Sequence, residues 1–151
     1  MPRTEKPHVL LVDDNEAVCT LIMALLGREF EVDCVLDGAD AIERLKTNSY
    51  AAILLDLRMP QVDGFGVLDF LVANNPEIIP RVLVVTASLT KNETDRVRTY
   101  PVCGIIAKPF EVETLLHAVR DCTGPSGESA LGGFVTSGVL ILLAQILRRG
   151  L

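Results

Sequence analysis

A chain of 151 residues, 49% hydrophobic and 23% charged, has room for one compact domain with a sizeable core and a short extension. Its net charge of −6 and pI near 4.9 disfavour nucleic-acid binding by the bulk surface, which needs the opposite sign. The charge is unevenly shared: residues 1–123 carry −7 and residues 124–151 carry +1, a sign of two segments with different jobs.

In chain order, His8–Val12 (HVLLV) is a continuous apolar run ending in Asp13-Asp14, as a buried strand meeting a polar edge would be. In EAVCTLIMALLGREF, the residues Val18, Leu21, Ile22, Leu25 and Leu26 fall three and four apart, as a helix face requires, and Gly27 supplies a stop. EVDCVL predicts a second strand. GADAIERLKTN predicts a second helix with Ala41, Ile42 and Leu45 inward. AAILLDL predicts a third strand, again ending in an aspartate, Asp56. The pattern continues with a helix over DGFGVLDFLVANN, a strand over RVLVVTA and a short polar helix over KNETDRVRTY. A strand over GIIAK and a helix over EVETLLHAVRDC complete five strand–helix units. Strands this hydrophobic need cover on both faces, so the expected architecture is a doubly wound α/β sandwich around a parallel sheet.

Such a sheet binds ligands at the carboxyl ends of its strands. Asp13 and Asp14 end the first strand, Asp56 the third, Thr86 the fourth and Lys108 the fifth. Three carboxylates in one pocket repel one another and call for a cation. Mg²⁺, which takes one or two carboxylates with phosphate and water, suits oxygen ligands of this kind. Lys108 adds a mobile positive charge and Thr86 a hydroxyl donor, so the set suits phosphoryl transfer to a carboxylate nucleophile. Taken singly, each residue reads equally well as structure: Asp13, Asp14 or Asn15 as a helix cap, Lys108 as a solvated turn, Thr86 as a loop cap. Their convergence on one sheet edge favours chemistry.

The runs LLVDDNE, LLDLRMPQVDGFGVL, VLVVTA and GIIAKPFE, in this order and spacing, resemble the receiver domain of two-component response regulators over about residues 7–122. The resemblance implies a flavodoxin-like (βα)5 fold with strand order 2-1-3-4-5, and Asp56 as phosphoacceptor. It also implies Mg²⁺ bound by Asp14, Asp56 and the Arg58 backbone carbonyl, with Asp13 acting largely through water. Lys108 and Thr86 would hold the phosphoryl oxygens, Lys108-Pro109 would be cis, and Met59-Pro60 with Asp63-Gly64 would shape the loop before the third helix. The implied role is a phosphorelay switch, catalysing only its own phosphorylation and dephosphorylation. Its partners would be a histidine kinase or histidine phosphotransfer protein and a downstream protein. One position departs from the family pattern: Ile105 stands where many receivers carry Tyr or Phe, and Tyr100 is off-register, so the signal is expected to leave through the loop after Thr86 and the fourth helix. Arg58 and Ser88 occupy positions flanking the phosphate, so Arg58→Ala is expected to alter the lifetime of the phosphorylated form.

Other functions fit these residues less well. A flavin-binding protein of this fold would need phosphate-cradling loops where Asp13-Asp14 stand, and an aspartate-nucleophile phosphatase would carry its acceptor on the first strand. A degenerate receiver, acting as a phosphorylation-independent interaction module, should have lost one of the five residues. The four cysteines show no zinc spacing and read as small buried hydrophobes, and MPRTEKPH lacks an apolar signal segment, which suits a reducing, cytoplasmic setting. The expected domains are a receiver over 1–123, a Gly/Ser/Pro linker over 124–129 and an apolar tail over 130–151. Residues 130–147 hold no charge and would span about 27 Å as a helix. Three readings of that tail stand: an anchor holding the protein to the cytoplasmic face of a membrane, a helix that docks on the domain or pairs two chains, or an unstructured extension. It is too short for a DNA-binding output domain.

Overall fold

The computed structural model describes residues 5–87 and 89–124. The expectations for Ser88 and for the linker and tail beyond residue 124 therefore lie outside the described residues.

Five strand–helix units alternate along the chain: β1 (His8–Val12), α1 (Glu16–Leu26), β2 (Glu31–Val35), α2 (Gly38–Thr47), β3 (Ala52–Leu55), α3 (Gly64–Asn74), β4 (Val82–Thr86), α4 (Lys91–Val97), β5 (Gly104–Ala107) and α5 (Val112–Cys122). A 3-10 turn over Pro76–Arg81, which the apolar pattern did not mark, joins α3 to β4. The strands form one parallel sheet in the order β2-β1-β3-β4-β5, as the resemblance implied.

Because strand side chains alternate between faces, the continuous apolar runs supply two cores. Leu10, Val12, Ile53, Leu55 and Val84 pack with Ala41 of α2, Leu68 of α3 and Val97 of α4. On the other face Val9, Leu11, Leu54 and Val85 pack with Ile22 and Leu26 of α1 and Leu115 and Val119 of α5. Leu10, Leu11, Ile53 and Leu54 are fully buried, each burial contributing about 1.5–3 kcal/mol.

Two sequence expectations need correction. Leu21 is not on the buried face of α1 but is 52% exposed, with Cys19 buried instead. At 3.6 residues per turn Leu21 sits about 100° around the helix from Ile22, at the margin of the apolar stripe. The cysteines are not four separate buried hydrophobes: Cys103 and Cys122 form a disulfide with Cα atoms 5.9 Å apart. Helices in this fold run antiparallel to their strands, which brings the end of α5 back beside the start of β5. Cys19 is buried and free, and Cys34 is free and half-buried.

Candidate functional site

The sheet register assembles the site. Val12 pairs with Leu55, so the next residues, Asp13 and Asp56, emerge side by side. Thr86 pairs with Ala107, which places Lys108 one step beyond the adjacent strand. Single backbone bonds extend the ladder past the strand ends: Asp56 N donates to Val12 O at 2.9 Å, and Lys108 N to Thr86 O at 2.9 Å. The carboxyl groups of Asp13, Asp14 and Asp56 converge, with one oxygen from each within 4.8 Å of the others. Asp13 (2% exposed), Asp56 (7%) and Thr86 (2%) are buried, while Asp14 faces solvent.

The capping alternative for the acids is settled by the start of α1. Asn15 is the N-cap, its side chain accepting from the amides of Ala17 and Val18 at 3.0 and 3.1 Å. Asp13 Oδ1 instead accepts from Asn15 N at 2.9 Å, which fixes its rotamer within the pocket. Asp63 caps α3 through Gly66 N at 2.9 Å. The loop between Asp56 and α3 is drawn tight at Gly64, whose amide donates to Leu57 O at 3.1 Å. A Cβ at Gly64 would collide with the Asp56 carbonyl oxygen and Leu57 Cα, so glycine is needed for this close approach.

Asp56 is held from three sides. Its Oδ1 accepts from Arg58 N at 3.1 Å and from the Thr86 hydroxyl at 3.3 Å, and its Oδ2 faces Lys108 Nζ at 3.3 Å. Lys108 also forms an ion pair with Asp13. Burial pushes the Asp56 carboxyl above the usual aspartate range, and Asp13 adds to the rise, outweighing the opposing Arg58 amide and Lys108 ammonium. Burial alone would lower the Lys108 ammonium. The hydrogen bond to Asp13 and the charges of Asp56 and Asp13 reverse this, so its pKa rises and it stays protonated. Three carboxylates against one ammonium leave a formal charge of −2. The donor set is entirely oxygen, and such a deficit beside buried oxygens fits a hard divalent cation such as Mg²⁺.

Asp13, Asp14, Asp56, Arg58, Thr86 and Lys108, the site residues expected from sequence, come together here, while Ser88 lies outside the described residues. The Lys108–Pro109 peptide is cis. Ile105 is buried among the core residues shared with α3 and α4, and Tyr100 packs against the same cluster. The Tyr100 hydroxyl is bonded to Asp69.

One residue beside the site escaped the sequence reading. Glu93, in the first turn of α4, forms a capping box with Thr90 and pairs with the Arg58 guanidinium at 3.0 Å. The Thr90 amide, and more weakly Arg58, hold its carboxyl below the usual range against the effect of burial. The spacing Thr90-x-x-Glu93 was a readable cap signal, but nothing local announces its partner 35 residues away.

Comparison with known proteins gives a consistent result. The family model described as the response regulator receiver domain matches residues 9–120. The regulatory protein VanRB of Enterococcus faecalis is 30% identical over 142 residues, covering 93% of this chain and 62% of that protein. The transcriptional regulatory protein TctD of Salmonella typhimurium is 36% identical over 116 residues, 75% of this chain and 50% of TctD. This chain thus spans about half to three-fifths of the length of these relatives. Among solved structures, the receiver domain of the sensor histidine kinase PA1611 from Pseudomonas aeruginosa, with magnesium coordinated in its active-site cleft, superposes with a TM-score of 0.71 at 26% identity, over 79% of this chain and 98% of that one. The signal receiver domain of a Luxo repressor protein from Vibrio parahaemolyticus shares the fold, with a TM-score of 0.72 at 24% identity, over 88% and 98% of the two chains.

Proposed function

Because this chain belongs to the response regulator receiver family, we propose that it is a phosphorylation-dependent switch whose Asp56 carboxylate accepts a phosphoryl group from a histidine kinase or histidine phosphotransfer protein. In the transfer, an Asp56 carboxylate oxygen forms a bond to phosphorus while the phosphorus–nitrogen bond to the donor histidine breaks. The imidazole leaves with the bonding electron pair and takes up a proton from water.

The supporting observation is the buried, raised-pKa Asp56 carboxyl facing an ammonium, a hydroxyl and two further acids on one sheet edge. Asp14, Asp56 and the Arg58 carbonyl would hold Mg²⁺, with Asp13 acting through water, and the ion would offset negative charge on the transferring group. Lys108, fully charged and tethered by Asp13, is poised to receive a phosphoryl oxygen. Thr86 offers its hydroxyl to another, and to do so exchanges its bond to Asp56 Oδ1. The phosphoryl group carries about −1.5 to −2, and because the Asp56 carboxylate gives up its own charge to the new bond, the pocket gains about one negative charge on top of its existing excess. That change breaks the Thr86–Asp56 bond and shifts the start of the loop that leads to α4.

On this reading residues 1–123 form the receiver unit, with residues 124–129 as linker and 130–151 as an apolar tail, and the output passes through contacts with a further protein. Incubation with acetyl phosphate and Mg²⁺ followed by intact-mass measurement tests the proposal. One phosphoryl adduct, lost in Asp56→Asn, is expected. An adduct that persists in Asp56→Asn would move the acceptor elsewhere. Absence of any adduct would leave a phosphorylation-independent interaction module.

A further inference from the structure

Arg58 links the proposed phosphoacceptor to α4 through two groups. Its amide donates to Asp56 Oδ1 at 3.1 Å, and its guanidinium reaches Glu93 Oε2 at 3.0 Å. The same Glu93 oxygen accepts from Thr90 N at 2.7 Å, while Glu93 N donates to the Thr90 hydroxyl at 3.2 Å. The capping box thus fixes the carboxylate before any arginine arrives. Glu93 loses little side-chain freedom in pairing, which makes this contact stronger than one between two mobile surface chains. Its side chain is 28% exposed and that of Arg58 is 51% exposed, so the arginine is the less enclosed of the two.

We infer that Glu93 is a positioning residue for the aspartyl phosphate: it holds the Arg58 guanidinium on α4 and competes for it with the phosphoryl group on Asp56. The inference rests on the function proposed above. A phosphoryl group offers a guanidinium three acceptor oxygens and a charge of about −2 that Lys108 and a bound cation offset only in part, and it sits two residues from Arg58. Arg58 is therefore drawn by both of these anions. Seated on the phosphoryl oxygens, it covers the face from which water attacks. Seated on Glu93, it leaves that face open and keeps α4 tied to the loop after β3. In the hydrolysis so gated, water oxygen bonds to phosphorus and the bond to the Asp56 oxygen breaks. The carboxylate is restored, and inorganic phosphate leaves with the protons of the water. Glu93 accordingly shortens the life of the phosphorylated state.

Glu93→Gln separates this role from capping, since glutamine at the third helical position accepts the same amide bond without the charge. Wild type, Glu93→Gln, Arg58→Met and the double variant are each phosphorylated with acetyl phosphate and Mg²⁺. The small phosphodonor is then removed, and loss of the adduct is followed by intact mass. Glu93→Gln is expected to lengthen the lifetime about two- to five-fold, the range of a well-held exposed ion pair, and to have no effect in the Arg58→Met background. An unchanged or shortened lifetime in Glu93→Gln overturns the inference and leaves the proposed function standing. The same holds if the effect is equal in both backgrounds, or if a lower melting midpoint is the sole change. Failure of wild type to take up phosphate at Asp56 overturns both.

Discussion

Removing Lys108 with Lys108→Met keeps most of the aliphatic stem and deletes the cation that contacts both Asp13 and Asp56. These side chains are 3% and 9% exposed, so solvent cannot replace the lost partner, and breaking a buried pair typically costs about 3–5 kcal/mol. The loss has a ceiling, because the folded protein can protonate Asp56 instead. At pH 7, protonating an ordinary aspartate of pKa about 3.9 costs about 4 kcal/mol, and the raised pKa of Asp56 brings that figure down. A deficit of about 2–4 kcal/mol is expected in chelator-treated protein, or roughly 8–16 °C in melting midpoint for a folding unit of about 120 residues.

The pH dependence follows from the sign of the shift. An acid whose pKa is raised in the folded state binds more protons folded than unfolded. Stability therefore falls as pH rises from the unfolded value to the folded one, and levels off above it. At pH 5 the protonation ceiling drops to about 1.5 kcal/mol, so the deficit of Lys108→Met should shrink to that size or less. Thermal melts of wild type and variant at pH 7 and pH 5, both in chelator, provide the assay. A deficit of equal size at the two pH values would assign it to packing of the lysine stem and refute the electrostatic account. With Mg²⁺ added at pH 7, the variant should recover more stability than wild type does.

Other substitutions probe neighbouring parts of the structure. Gly64→Ala forces a methyl group against the Asp56 carbonyl and should lower stability by about 1–3 kcal/mol in urea unfolding; an unshifted midpoint would disprove the close approach. Replacing both Cys103 and Cys122 by serine opens a loop of about 20 residues and should cost about 3 kcal/mol. Dithiothreitol should then lower the midpoint of wild type and leave that of the variant unmoved. Thr86→Ala deletes one weak bond to Asp56 and is expected to cost about 1 kcal/mol while still permitting phosphorylation. Hydrogen exchange at α4 should respond to phosphorylation less in Thr86→Ala than in wild type, the remainder being the part carried by Arg58 and Glu93.

The parallel sheet and the convergence of five residues were legible because both are set by local pattern. Uninterrupted apolar runs specify strands covered on two faces, and the residues that end those runs lie on one sheet edge once the connections are right-handed. The features that escaped depend on which distant segments become neighbours. Cys103 and Cys122 lie at opposite ends of a βα unit and meet only because the helix folds back along the strand. Leu21 carries the same apolar signature as Ile22, and its exposure is decided by the rotation of α1 against the sheet. Glu93 looked like one more charge on a short polar helix. Its partner stands on another loop, and the cap that orients it is the one element of the arrangement written in adjacent residues.

The departure at Ile105 bears on how a change at Asp56 could reach the surface. A buried isoleucine has no polar tip to favour a half-exposed rotamer, so it offers no counterpart to a ring that swings between pocket and solvent. The attachments of α4 supply another route. At its first turn the helix is tied to the loop after β3 by Glu93 and Arg58. At its last turn Arg96 reaches Asp69 of α3 at 3.3 Å and lies 4.1 Å over the Phe65 ring. The two ties differ in what a phosphoryl group does to them. The distal one is made to side chains of α3, whereas the proximal one uses the arginine two residues from the acceptor. Loss of the proximal tie alone would pivot α4 about its attachment to α3 instead of detaching it. The response of such a switch is accordingly expected to be greatest at Thr90–Thr94 and least at Arg96–Tyr100.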